Sequence, residues 1–128
     1  MIYHLDTTFL IDWHRRDSRI LLLREEIIAG VHDVSINPIV ETEYFAARRV
    51  NREKEMTFES IAALSEMVPL STDACRLAAR WLARLDIKQR RAHFNDALIA
   101  ATSTVCGATL VSSDKRIVRV FPVAILQY

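Results

Sequence analysis

Short apolar runs alternating with longer helical patterns predict an α/β protein: a three-layer α/β/α arrangement around a central, mainly parallel sheet. Two further observations agree. No linker, low-complexity tract or internal repeat divides the 128 residues, so a single domain over residues 1–128 is expected. The hydrophobic fraction of 51% is enough to fill a real core.

The elements follow in order. Ile2–Leu5 is an apolar opening strand that stops at Asp6. A short helix is expected from about Thr8 to Arg15 and a second from Ser18 to Ala29, closed by Gly30. Val34–Ile36 reads as a strand. Pro38, whose missing N–H costs nothing in a first turn, opens a helix to about Val50. Another helix runs over Lys54–Ser65, and Met67–Leu70 is a short strand. Ser71 or Thr72 then caps a long helix to about Arg90, and Asn95 caps a helix over Asp96–Cys106 ended by Gly107. Strands at Thr109–Val111 and Val123–Leu126 complete the chain.

Composition excludes several classes. No apolar stretch approaches the roughly eighteen residues a membrane span needs, and no secretory signal pattern is evident, so a cytoplasmic protein is expected. Cys75 and Cys106 lack a CxxC partner and read as small buried residues in a reducing compartment. Net charge is +1. Setting aside Asp6, Glu43, Asp96 and Asp114 leaves 12 acids against 17 bases, a surplus that a polyanion would meet once those acids were neutralised.

Asp6, Glu43, Asp96 and Asp114 stand just past a strand or in the first turns of a helix. In an open α/β sheet, loops at the carboxyl ends of the strands build the ligand site. Four carboxylates gathered there repel one another, and either protonation or a divalent cation resolves the conflict. Glu43 shares a helix stripe with Ile39, Val40, Ala46 and Ala47, where a carboxylate is costly unless paired. Each acid also has an ordinary reading. Asp96 suits a helix first turn, Asp6 and Asp114 are common strand terminators, and Glu43 fits a solvated rim. The coincidence of four argues for a metal-dependent hydrolase.

Four segments now resemble a known family. Leu5-Asp6-Thr7-Thr8-Phe9-Leu10-Ile11-Asp12 looks like the opening motif of PIN-domain nucleases. Ile36-Asn37-Pro38-Ile39 followed by Glu43 is similar to the second, Asp96-Ala97-Leu98-Ile99-Ala100-Ala101-Thr102 to the third, and Gly107-Ala108-Thr109-Leu110-Val111-Ser112-Ser113-Asp114 to the fourth. The match runs end to end in the family's order, and the length suits the stand-alone VapC-type toxins of toxin–antitoxin pairs. The resemblance implies a Mg²⁺- or Mn²⁺-dependent endoribonuclease whose metal-site acids are Asp6, Glu43, Asp96 and Asp114. Asp6 and Asp96 would ligate directly; Glu43 and Asp114 would act through water. Thr7 and Ser112 match the family's hydroxyl positions and would orient carboxylates, a water or a phosphate. The resemblance further implies an RNA substrate, a cognate antitoxin and a homodimer. Arg116-Ile117 stand where many members have Asp-Phe, which removes an acid near Asp114 and weakens provision for a second ion.

Among the bases, Arg15, Arg16, Lys115 and Arg116 follow two acidic motifs and are expected to hold substrate near the site. Arg76, Arg80, Arg84 and Lys88 form one helix stripe that reads first as a solvated face and second as a contact for RNA phosphates. Phe9, Phe45, Phe58, Trp81 and Phe94 read as core, and Trp13 as partly exposed. No histidine has ligand spacing. Ile20–Leu23 with Ile27 and Ile28 make an apolar short helix that packs internally or against a partner. The alternatives to a toxin are an RNA-processing nuclease without an antitoxin and an inactive binding module of the same fold.

Overall fold

The chain is described here from a computed structural model that covers residues 1–47 and 50–128. Its sheet contains five strands, all parallel: β1 (Ile2–Leu5), β2 (Asp33–Ile36), β3 (Glu66–Met67), β4 (Thr109–Ser112) and β5 (Ile125–Gln127). Their order is β3-β2-β1-β4-β5. The expected three-layer parallel architecture is therefore present. β1 lies in the middle, with Tyr3 opposite Val34 on one side and Thr109 on the other. Successive strands build outward from β1 in one direction to β3, and the chain then returns to build β4 and β5 on the far side. This reversal between β1 and β4 is the switch point at which such sheets open a crevice.

The helices are α1 (Thr7–His14), α2 (Leu21–Ile28), α3 (Pro38–Ala46), α4 (Arg52–Ala63), α5 (Thr72–Leu82), α6 (Ile87–Ala92), α7 (Phe94–Val105) and the single-turn α8 (Ile117–Val120). Capping follows sequence chemistry. Asn37, Asn51 and Ser71 each accept a first-turn N–H through the side chain, and Pro38 occupies the first helical position. Gly30 and Gly107 follow α2 and α7 with φ of +75° and +66°, which a glycine adopts without a Cβ penalty. The core joins β1, β2 and β4 to α1, α3, α4, α5 and α7, with Leu5, Phe9, Leu10, Ile36, Tyr44, Ile61, Ile99 and Leu110 excluded from water. Each such large side chain contributes roughly 1.5–3 kcal/mol by burial. Packing of α5 on α7 buries Ala74 and Ala78 from one helix and Ala97, Ala100 and Ala101 from the other.

Several expectations need correction. The long helix from Ser71 is two helices: α5 ends at Leu82, and Asp86 starts α6 by accepting the Gln89 N–H. The Ser18–Ala29 helix begins with a 3₁₀ turn over Ser18–Ile20, capped by Asp17. The helix from Pro38 ends at Ala46, and residues 48–49 of the expected span lie outside the described residues. Asn95 is not the cap of α7; it lies inside the first turn. The strand expected at 67–70 is Glu66–Met67, and the last strand is shifted to Ile125–Gln127. Cys75 and Cys106 are free but exposed, not buried. Phe94 is exposed and Trp13 is buried, the reverse of expectation. Trp13 packs edge-on against Phe9.

Candidate active site

Asp6 leaves β1 at the switch point. Its backbone N–H bonds to the Val111 carbonyl of β4 at 3.0 Å, so the carboxylate is fixed to the centre of the sheet. β4 ends beside it in Ser112. The Ser112 hydroxyl donates to Asp6 Oδ2 at 2.6 Å, and Thr8 Oγ1 donates to the same oxygen at 3.1 Å. Asp114, two residues past β4, donates its backbone N–H to Ser112 Oγ at 3.0 Å. Glu43 enters from α3, where Thr7 Oγ1 donates to its Oε1 at 2.7 Å. Asp96 comes from the first turn of α7. That helix precedes β4 and runs back along the sheet, so its start lies at the same sheet edge.

Together Asp6, Thr7, Thr8, Glu43, Asn95, Asp96, Asp114 and Arg116 line one open cleft of about 520 Å³, with Ile11, Ala46 and Ala47 as its apolar wall. All four predicted acids are thus brought to one place. A cavity of about 630 Å³ lies at the other end of the strands, beside Ile2, Asp33 and Glu66, and contains none of them. Glu43 faces the cleft from the rim of its helix. The buried face of α3 is Val40 and Tyr44, whereas Ala46 and Ala47 are exposed. The stripe inferred for Glu43 is therefore rotated, although the residue it singled out lines the cleft.

Electrostatics separate the acids. Burial raises the Asp6 carboxyl from 3.8 to about 6, with the Asp96 charge adding to the shift and the hydrogen bonds from Ser112, Thr7 and Thr8 opposing it. Burial also raises Asp96, and the Asp114 charge raises it further, while His93 opposes the shift. Asp114 moves the other way because Arg116 holds it ionised. Arg116 Nε and a terminal guanidinium nitrogen meet its two carboxylate oxygens at 3.1 and 2.9 Å, and the Arg116 backbone N–H adds a bond of 2.9 Å.

The donor chemistry suits a hard divalent cation: oxygen ligands only, with the ionisation of Asp6 and Asp96 penalised by burial. As the side chains stand, no three His, Cys, Asp or Glu among the described residues are grouped closely enough to enclose an ion. Each acid is instead tethered by its own partner: Asp6 by two hydroxyls, Glu43 by Thr7, Asp96 by His93 and Asp114 by Arg116.

Of the other residues expected near the site, Thr7, Ser112 and Arg116 contact the acids. Arg15 lines an adjoining pocket of about 270 Å³ with His14, Asn51 and Lys54. Lys115 is exposed and does not line the cleft. Sequence reasoning missed three residues. Thr8 bonds Asp6 and accepts the Ser113 N–H at 3.1 Å. Asn95 makes a long contact of 3.5 Å to Glu43 Oε2. His93 Nδ1 lies 3.2 Å from Asp96 Oδ2. His93 stands three residues before Asp96, a helical spacing visible in the sequence, although a single histidine carries no pairwise ligand spacing.

The PIN domain family pattern matches residues 3–121. No curated protein matches the chain by sequence. Among solved structures, VapBC2 from Rickettsia felis bound to a promoter DNA fragment contains a similar chain (TM-score 0.81, 20% identity, covering 100% of this chain and 99% of that one). DNA-bound VapBC from Salmonella typhimurium gives 0.77 at 18% identity, covering 99% and 98%. VapBC-5 of Mycobacterium tuberculosis, a member of the VapBC family of toxin–antitoxin systems, gives 0.69 at 21%, also covering 99% and 98%. At these identities the likeness concerns the fold, whereas the family pattern spans nearly the whole sequence. By its ordered motifs, its sheet and that match, the chain belongs to the PIN-domain family.

Proposed function

We propose that the protein is a Mg²⁺- or Mn²⁺-dependent endoribonuclease and the toxin of a type II toxin–antitoxin pair. The observation that carries this reading is the delivery of Asp6, Glu43, Asp96 and Asp114, from four separate segments, into one cleft at the sheet's switch point. Asp6 and Asp96 would hold the ion directly, with Glu43 and Asp114 acting at its rim. When bound, such an ion supplies charge neutralisation at a phosphate oxygen and lowers the pKa of a coordinated water. The chain's own residues do the rest. Ser112 and Thr8 fix the rotamer of Asp6. Thr7 aims Glu43. His93 orients Asp96. Arg15 and Arg116 offer positive charge to the substrate backbone beside the acids.

The partner reading draws on the solved VapBC structures, in which similar chains occur in toxin–antitoxin complexes. Leu21, Leu22 and Ile28 leave one side of α2 exposed and apolar, a face suited to a second copy of the chain or to the antitoxin. No helix among the described residues is long and apolar enough to cross a membrane.

The test is RNA cleavage by purified protein with Mg²⁺ or Mn²⁺, comparing wild type with Asp6→Asn and Asp96→Asn. Each substitution is expected to lower the rate by about a hundredfold or more. Equal cleavage by all three proteins overturns the assignment. Co-purification from the native operon tests the antitoxin, and a chain isolated without a bound partner favours the RNA-processing alternative.

A further inference from the structure

We propose that Arg116 takes the place of a second metal ion, so that the acid cleft binds one divalent cation per chain. The inference rests on the reading that the acids hold metal. Asp114 is the acid whose carboxylate is fully engaged by a cation of the protein itself, both of its oxygens meeting the Arg116 guanidinium in a bidentate pair. The other three acids are tethered by hydroxyls or by His93. A hydroxyl can stay bonded to a carboxylate that also binds metal, because a carboxylate offers about four lone-pair sites. The guanidinium and the Arg116 backbone N–H together take three of the roughly four sites on Asp114, so an ion that binds both oxygens must displace the guanidinium.

Two further terms favour the arginine. It lies two residues from its partner, so pairing costs little chain entropy, whereas a second ion must shed water that Mg²⁺ gives up reluctantly. Charge points the same way. Four carboxylates balanced by one divalent ion and one guanidinium leave the site one negative charge, whereas adding another divalent ion makes it positive. Asp114 thus serves as the anchor for Arg116 at the cleft rim, and Asp6, Glu43 and Asp96 remain for a single ion.

The experiment counts ions by titrating the protein with Mn²⁺, using calorimetry and the electron paramagnetic resonance signal of free Mn²⁺. Wild type is compared with Arg116→Ala, Arg116→Gln and, as a control, Arg19→Ala. The Arg116 side chain is 72% exposed, so its removal leaves no cavity. Wild type and Arg19→Ala should bind one Mn²⁺ per chain. Both Arg116 variants should bind a second, up to about fivefold more tightly than any further Mn²⁺ binds wild type, the scale of an exposed ion pair. Two ions in wild type, or one in every variant, overturns the role of Arg116 and leaves the metal reading standing. No ion in any of them overturns the metal reading and this inference with it.

Discussion

Asp17-Ser18-Arg19 and Asp114-Lys115-Arg116 are the same device built twice. In each, the aspartate accepts the backbone N–H two residues on, at 2.9 Å, and the arginine side chain closes a bidentate pair at 2.9 to 3.1 Å. The first turn caps the 3₁₀ entry to α2, and a further acid beside it is Asp12, 3.7 Å from Arg19. Asp12 is itself satisfied by the Tyr128 hydroxyl at 2.6 Å. The second turn opens onto Asp6, Glu43 and Asp96. Local sequence therefore sets the turn, and topology decides whether its charge faces the acid cleft.

The largest expected contrast between the two regions is in pH dependence. Asp17 is drawn down to about 2 by Arg19, so its contribution to stability is present above the ordinary 3.8 and is lost as pH falls through about 2. Asp6 behaves oppositely. The unfolded chain ionises near 3.8 and the folded one near 6, so its stabilising contribution is full below 3.8 and is lost as pH rises through about 6. That loss is on the order of 3 kcal/mol. His4, buried on the same strand and lowered from 6.5 to about 4, contributes stability above 6.5 that disappears as pH falls through about 4. The two slopes oppose each other between pH 4 and 6. Denaturant unfolding in the presence of a chelator should give a nearly flat wild-type profile in that range. Asp6→Asn should leave a profile that rises with pH by about 3 kcal/mol. An unchanged profile would remove the distinction between a buried cleft acid and a turn acid.

A smaller effect sharpens the comparison from the side of the partners. Asp6 and Glu43 depend on hydroxyls, so Thr7→Val should free Glu43 and reduce RNA cleavage by about tenfold. Arg19→Ala, at the other turn, should leave the rate unchanged. The smallest effect is thermal. Asp17→Ala should lower Tm by a few degrees through loss of its cap. Asp114→Ala should lower it less, because removing that charge also relieves Asp96. Equal losses would mean that Asp114 feels no repulsion from its neighbours.

The legible parts of the sequence were those governed by short-range chemistry. Strand starts at Ile2 and Thr109, the Ser71 cap, Pro38 and both glycines declare themselves by residue type. The four acids were found because each sits at a strand end or on a helix beside one, a placement that topology converts into proximity. The break between α5 and α6 was obscured by the regular Arg76, Arg80 and Arg84 spacing, although Asp86 and Gln89 carry a capping pattern. Burial at the ends of elements was harder to read. Whether Phe94 or Trp13 reaches the core depends on which helix face meets the sheet, and the three-residue partners Thr8, Asn95 and His93 are contacts fixed by that same rotation.

Asp6 emerges from the central strand and is bonded through its main chain to β4. A functional group placed there cannot drift independently of the scaffold. If Asp6 holds the proposed ion, substitutions that loosen β1 should blunt cleavage before the protein unfolds, and Asp6 variants should accumulate more readily than wild type, since losing the buried charge relieves the fold. On that reading, potency and durability would pull on one residue in opposite directions.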